Sequence, residues 1–441
     1  MDSILLSRIQ FGLSASFHFL FPPLTLGLSL IILIIETLRL RNKDDFYNGL
    51  SNFLVKILGL IFVVGVATGI VLEFSFGTNW SEFSRFVGDI FGALLTAEGI
   101  FAFFLESVFL SILVFGRNRV SKKIYWLSAF LVFFGSHISG LWIIVANSWM
   151  QTPAGFKIEG ERAVLTDFFL AVINHSTIVR YIHVVIASWI TGSLFVAGIS
   201  AFYILQKRYI EYAKIYLKIA LFIFISTSIV QLFSGHSHSV QVAKTQPEKM
   251  AAFEALWETK NGAPLALFGI PDGEKEKTYF YVGVPKLLSL LIYGDFNAKV
   301  LGLAEFPKDE QPSVFLPFVS YHIMIFIGML FITMAIVGLY LLFRNKILDT
   351  RWYLMLLLFS IPLPHIANQF GWIGAEVGRQ PWVVYKVLKT ADAVSVVVPT
   401  NQILFSLIIF GLIYLFIFLV FINLMIRFIK KGPEEIPLKG Y

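Results

Sequence analysis

The chain has no cysteine, which excludes disulfides, thiolate metal sites, iron–sulfur clusters and CxxCH attachment of a haem. Any bound metal must therefore be held by His, Met or carboxylate. Charge is scarce too: Asp, Glu, Lys and Arg make up 14% of the 441 residues, against roughly 25% in a soluble domain. With 57% hydrophobic residues and a mean hydropathy of +0.77, the default environment is lipid. The formal charge of +7 is spread between apolar runs and forms no single patch, so nucleic acid is not expected as a partner. The sequence shows no internal repeat and no low-complexity tract, and 1–441 reads as one membrane domain. Its opening, MDSILLSRIQF, has no basic cluster, and no small-residue cleavage site precedes Leu40. A retained helix is expected there, not a signal peptide.

A spanning helix needs about 20 apolar residues. Qualifying runs lie near 11–39, 53–75, 92–115, 124–147, 181–205, 213–234, 318–343, 353–371 and 403–428. The expected fold is thus an all-α integral membrane protein of about nine transmembrane helices. Basic residues follow alternate runs: Arg39, Arg41 and Lys43; Arg117, Arg119, Lys122 and Lys123; Lys207 and Arg208; Arg344, Lys346 and Arg351; Arg427, Lys430 and Lys431. Positive-inside bias puts those loops and the C-terminus in the cytoplasm and the N-terminus outside. The longest outward segment, 235–317, is polar and of functional length. Within it, TQPEKMAAFEALWETK predicts a short amphipathic helix starting at Pro247 and lying at the membrane surface.

Ionisable groups inside a bilayer cost at least about 2.5–3.5 kcal/mol each, which makes them functional candidates. Counting back from the cytoplasmic charges at about 1.5 Å per residue puts His18 and Glu98 near the outer boundary and Glu106 near mid-membrane. His183 and Met324 lie just inside the outer ends of their helices, and Glu376 follows the eighth helix on the same side. His18, His183, Met324 and Glu376 are therefore candidate iron ligands at one level. His and Met together hold a six-coordinate haem iron, although a lone helical His or Met equally serves packing. His322, two residues before Met324, points about 200° away from it, so both cannot face one haem.

Pro22 and Pro23 remove the i+4 donor to the His18 carbonyl and predict a kink there. Such a kink makes room for a planar cofactor or simply serves packing. Pro362 and Pro364 interrupt the eighth helix before His365, read as structural. Glu98 and Glu106 are expected about 12 Å apart along a helix and roughly 80° around it, as successive proton stations that Ser139 and Asn147 could join. His137, His175, His236 and His238 fall in or near loops or helix ends and read as ordinary polar residues, the GHSHS pair being at most an adventitious metal site. In GWIGAEVGRQPWVVYKVL, residues 371–388, Glu376 and Arg379 lie between Trp372 and Trp382. That set suits an anionic cofactor at the membrane edge, with a carboxylate for a metal and a guanidinium for a propionate.

The stretches SRIQFGLSASFHFLFPPLTLG, VATGIVLEFSFGTNWSEFSRFVGDIFG, AEGIFAFFLES, LWIIVANSWMQTP, YIHVV, KMAAFEALWET, LFGIPD and GWIGAEVGRQPW occur in order between residues 7 and 382. Together they resemble subunit I of the cytochrome bd quinol oxidases. The resemblance implies two haems b, one low-spin and one high-spin, and one haem d, with quinol as substrate. It assigns His183 and Met324 to the low-spin haem and gives His18 and Glu376 one high-spin iron each, leaving open which of them holds haem d. Arg8, Trp372 and Arg379 would lie beside the haems, Glu98, Glu106 and Ser139 would line the proton route, and Lys249 and Glu254 would take part in quinol oxidation.

Two features depart from the family pattern: His322 stands where an arginine is common, and 235–317 lacks a long insertion. The expected function is that of a terminal oxidase. It would oxidise quinol at the outer face, reduce oxygen to water with cytoplasmic protons, and generate a proton gradient without pumping. The expected setting is a bacterial or archaeal cytoplasmic membrane. The expected partners are membrane lipid, a homologous membrane subunit II and, in some members, a single-helix small subunit. Two rivals remain: a proton-coupled transporter using Glu98 and Glu106, which leaves His183, Met324 and GRQPW unexplained, and a two-haem quinone dehydrogenase anchor.

Overall fold

The computed structural model describes residues 2–42 and 46–434, so Lys43 lies outside the described residues. Its helices are α1 Ser3–His18, α2 Pro22–Asn42, α3 Phe46–Thr78, α4 Ser81–Glu98, α5 Phe104–Phe115, α6 Lys122–Gln151, α7 Phe168–Val172, α8 Thr177–Leu205, α9 Ile210–Thr245, α10 Pro247–Phe253, α11 Leu287–Tyr293, α12 Phe315–Phe343, α13 Arg351–Phe359, α14 Leu363–Val377 and α15 Thr400–Lys431. A π-helical turn, Gly99–Phe103, joins α4 to α5. Four small antiparallel pairs qualify the all-α expectation: β1 Phe156–Glu159 with β2 Arg162–Leu165, β3 Lys260–Asn261 with β6 Lys299–Val300, β4 Leu265–Asp272 with β5 Lys277–Val284, and β7 Trp382–Val384 with β8 Leu388–Lys389. All four lie between membrane-length helices.

Among the described residues, seven helical segments are long and apolar enough to cross a membrane, or eight if the bent pair α13–α14 is one span. That count leaves out the α4–α5 run, which the π turn interrupts. The first run, expected as one helix over 11–39, is two helices meeting at Phe19–Phe21. The kink is present, and the His18 carbonyl keeps a partner because Phe21 N–H bends back to it at 3.1 Å. The eighth run breaks by 40° between Phe359 and Leu363, where Pro362 and Pro364 stand. Its second half continues to Val377, so Glu376 is inside the helix and not after it.

The sixth run continues past 234 to Thr245, which puts His236 and His238 on helix α9 and shortens the outer loop. α10 does start at Pro247, but every residue from Glu248 to Phe253 is buried, so it is packed into the protein and does not float at a surface.

The core forms where α2, α3, α8 and α9 meet, around Leu28, Ile31, Ile57, Leu58, Leu194 and Phe224. α2 and α8 touch backbone to backbone: a Cβ on Gly27 would lie 2.6 Å from the Gly192 Cα. Small residues permit such an approach in lipid, where packing and not water exclusion drives helix association. Apolar side chains of α15 such as Phe405, Leu412, Phe416 and Leu419 are exposed, as expected of a face meeting lipid or another subunit. Arg39 and Arg117, expected as loop charges, are instead drawn onto buried Glu36, at 3.0 and 3.5 Å. Arg117 also donates to Tyr125 Oη at 2.7 Å.

Candidate functional site

Three of the four candidate ligands face a glycine on a neighbouring helix. His18 ends α1 with its ring against α3: Nδ1 is 3.1 Å from Thr68 Oγ1, and a Cβ on Gly69 would lie 3.1 Å from His18 Cε1. His183 on α8 faces a stripe of α9. Gln231 Nε2 is 3.1 Å from His183 Nε2, Ser234 Oγ is 3.3 Å from Nδ1, and a Cβ on Gly235 would stand 3.6 Å from Cε1. Met324 on α12 aims its sulfur at α14, where a Cβ on Gly371 would come within 2.9 Å of Sδ. At Gly69 and Gly371 an added Cβ would press on the His18 ring and the Met324 sulfur, whereas at Gly235 it would make an ordinary contact with His183.

The fourth ligand sits in a polar cluster. Arg379 Nη2 donates to Glu376 Oε2 at 2.5 Å, while Asn147 Nδ2 and Gln151 Nε2 donate to Oε1 at 3.0 and 3.1 Å. Arg180 donates to Asn147 Oδ1 and lies over the Trp372 ring at 5.8 Å. Trp372 also meets Phe19 edge-on, which links α14 to the break after His18. Asn147, expected beside the proton carboxylates, thus belongs to Glu376 instead. Buried polar atoms here without a partner among the described residues include the donors Arg180 Nε, Arg379 Nη1 and Trp382 Nε1, and, near His183, the acceptor Gln231 Oε1 and His238 Nε2. The unmet guanidinium donors of Arg180 and Arg379 beside the candidate ligands fit a cofactor with acidic substituents.

The segment between α9 and α12 reaches the same cluster. Lys249 is buried on α10 and donates to Gln151 Oε1 at 2.6 Å and Gln246 Oε1 at 2.7 Å. Burial pushes its ammonium well below the usual value, and Arg180 adds to the push. Glu254 follows α10. Its Oε2 accepts from Ala266 N–H at 2.8 Å, Oε1 has no partner among the described residues, and burial raises the carboxyl to about 8. His322 turns toward this loop, within 3.0 Å of the Ala266 carbonyl, and so faces away from the Met324 side, as its spacing predicts.

On the other flank, Ser139 donates to Glu98 at 2.7 Å, while Glu106 is buried with Oε1 unpartnered among the described residues. The π turn between the two carboxylates absorbs one extra residue. Their separation then behaves like seven α-helical residues, about 10.5 Å, with a rotation of roughly −20° in place of 80°. Arg8 is partly buried on α1. His137 is not near a helix end: it sits within α6, accepting from Trp189 Nε1 at 3.0 Å, a structural role.

Sequence reasoning passed over Gln151, Arg180 and Gln231 and read His238 as an ordinary polar residue. Arg180 was findable as an ionisable residue at the edge of an apolar run. His238, whose ring centroid is 5.4 Å from that of His183, was hidden because its segment reads as a polar loop.

The fold and site define a multi-helix membrane protein in which candidate His, Met and carboxylate ligands share a buried polar region with a lysine from the segment between α9 and α12. A model of the family Cytochrome bd terminal oxidase subunit I matches residues 6–433, and the chain belongs to that family. It is 40% identical to cytochrome bd ubiquinol oxidase subunit 1 of Bacillus subtilis (strain 168), over 99% of this chain and 95% of that one. To cytochrome bd-II ubiquinol oxidase subunit 1 of Escherichia coli (strain K12) it is 34% identical, over 98% and 97%. The solved bd oxidase from Geobacillus thermodenitrificans superposes with a TM-score of 0.92 at 29% identity, covering 98% of this chain and 99% of that chain. Family membership makes the chain a multi-pass bacterial membrane oxidoreductase with the role of a terminal quinol oxidase. It also implies haem cofactors and a partner subunit II.

Proposed function

We propose that this chain carries two haems b and one haem d, oxidises quinol at its outer face and reduces oxygen to water with protons taken from the cytoplasm. The observation that carries this reading is the glycine opposite each of His18, His183 and Met324. His183 and Met324 would hold the low-spin haem, and His18 and Glu376 would each hold one high-spin iron, with Arg8, Trp372 and Arg379 beside them. When bound, the haems supply the one-electron chemistry that oxygen reduction needs.

The chain's own residues do the rest. Lys249 donates a hydrogen bond to a quinol oxygen, and the free Oε1 of Glu254 accepts a quinol proton for release outside. Glu106, then Glu98 with Ser139, pass protons from the cytoplasmic side to the oxygen site. Two quinols and one oxygen give two quinones and two waters. The quinol protons leave on one side and an equal number enters from the other, so charge separates without a pump.

This reading takes nine spans, counting α4–α5 through its π turn as one, with the N-terminus outside, the C-terminus in the cytoplasm and 235–317 as the quinol loop. The setting is a bacterial or archaeal cytoplasmic membrane, in contact with lipid and with subunit II, with or without a single-helix small subunit.

Haem extraction with stoichiometry from the complex purified with subunit II tests the ligands together. Two haems b and one chlorin-type haem per complex, with quinol-driven oxygen uptake, are expected. A colourless complex overturns the oxidase reading, and haem b alone without oxygen uptake turns it into a quinone dehydrogenase anchor.

A further inference from the structure

The side chain of Gln151 spans two sites that the reading above treats separately. It ends α6, is buried, and has both amide atoms engaged. Its Oε1 accepts from Lys249 Nζ at 2.6 Å, and its Nε2 donates to Glu376 Oε1 at 3.1 Å. The lysine has no acceptor, so the orientation of the amide is fixed by its partner.

The backbone is pinned as well. Gln246 Nε2 donates to the Gln151 carbonyl at 2.9 Å while Gln246 Oε1 shares Lys249, and Tyr385 N–H donates to the Met150 carbonyl at 2.9 Å. The end of α6 is thus tied through its backbone to Gln246, just before α10, and to Tyr385, just after β7. Gln151 cannot swing to serve one site without releasing the other.

We propose that Gln151 is a positioning residue that couples the quinol lysine to the carboxylate ligand, so that a change at Lys249 is felt at the metal held by Glu376. This rests on the functional reading above. A donor on a ligand carboxylate reduces its basicity and favours the reduced metal, the ordinary effect of a group behind a ligand. With Gln151 and Gln246 each taking one ammonium proton, the third is aimed at the quinol oxygen.

Two variants separate the arms. Gln151→Leu removes both bonds. Gln151→Glu keeps an acceptor for Lys249, loses the donor to Glu376 and sets a second carboxylate against it. The measurements, on the complex with subunit II, are haem content, spectroelectrochemical midpoints of each haem, and KM and kcat with decylubiquinol. For Gln151→Leu we expect a KM raised about tenfold, the scale of one lost charge-assisted hydrogen bond, and a lower midpoint for the haem at Glu376 with the low-spin midpoint unchanged. For Gln151→Glu we expect a near-normal KM and a larger fall of that same midpoint.

If Gln151→Leu fails to load haem, the Gln151→Glu midpoint decides alone. Loaded variants with unaltered midpoints overturn the coupling, even where KM rises. Wild-type complex without haem overturns the functional reading itself, which keeps the two failures distinct.

Discussion

Gly371→Ala asks whether Met324 is a ligand or a packing residue, because the two roles tolerate movement differently. The new Cβ would lie 2.9 Å from Met324 Sδ, with the next atom, Met324 Cγ, at 3.9 Å. Unstrained contact between heavy atoms needs about 3.5–4.0 Å, so the sulfur must move by roughly 0.6–1.1 Å. A methionine that only fills space makes that move at an off-rotamer cost of about 0.5–1.5 kcal/mol. Replacing a helical glycine by alanine returns up to about 1 kcal/mol. Stability should therefore change little in either case, and a melting curve cannot discriminate. An axial sulfur has no such freedom. Its displacement takes away the soft ligand that raises the iron potential. The assay is the reduced-minus-oxidised spectrum with a redox titration, at measured haem content. The expected result is loss of the low-spin band and a lower midpoint for that haem. Gly328→Ala, one turn further along α12 with nothing within 4 Å of its Cβ, is the control and should match wild type. A low-spin spectrum and midpoint unchanged in Gly371→Ala would refute the assignment of Met324.

Glu106→Ala should leave the haem spectrum largely intact and slow oxygen consumption, and unchanged turnover would remove Glu106 from the proton route. Glu254→Gln tests proton acceptance at the quinol loop. With its carboxyl raised to about 8, Glu254 is protonated below that pH and accepts only above it, so quinol oxidation should climb through about pH 8 in wild type and stay slow and flat in the variant. The linked stability runs the other way: a raised carboxyl stabilises the fold fully below the ordinary value of 4.5 and loses that contribution as pH rises to about 8. Melting temperatures should therefore fall across that window in wild type and less in Glu254→Gln. Gly192→Ala puts a Cβ 2.5 Å from the Gly27 backbone, which no rotamer change relieves. A loss of about 1–3 kcal/mol is expected, read as a lower melting temperature and weaker haem retention, and a wild-type melt would contradict the tight α2–α8 crossing.

Hydropathy made the long helices legible, because lipid forces backbone groups to pair within each span and leaves an apolar run as the record. It failed where that pressure ends. The last turns of α9, through GHSHS to Thr245, read as loop because they are polar, yet they form a helix that packs against α8 and the outer loop. Arg39 and Arg117 read as cytoplasmic charges, and their burial depended on Glu36 reaching them from α2. The candidate ligands stood out as residue types expected at one membrane level and through the family resemblance. Gln151 did not stand out and Asn147 was set beside the wrong carboxylates, because an amide has no charge to mark it in a sequence and acquires its role only from the groups it meets.

The carboxylate pair shows how far local geometry alters a reading made on ideal helices. Evenly wound, Glu98 and Glu106 would diverge by roughly 80° and serve different neighbours. The π turn at Gly99–Phe103 takes up one residue and returns them toward one face. Ser139 occupies Glu98, whereas Glu106 Oε1 is left unpartnered among the described residues. A buried acceptor without a donor is costly unless something arrives to satisfy it. On the proposed proton route, Glu106 is the station left open to receive a proton, and Glu98, held by Ser139, is the next one.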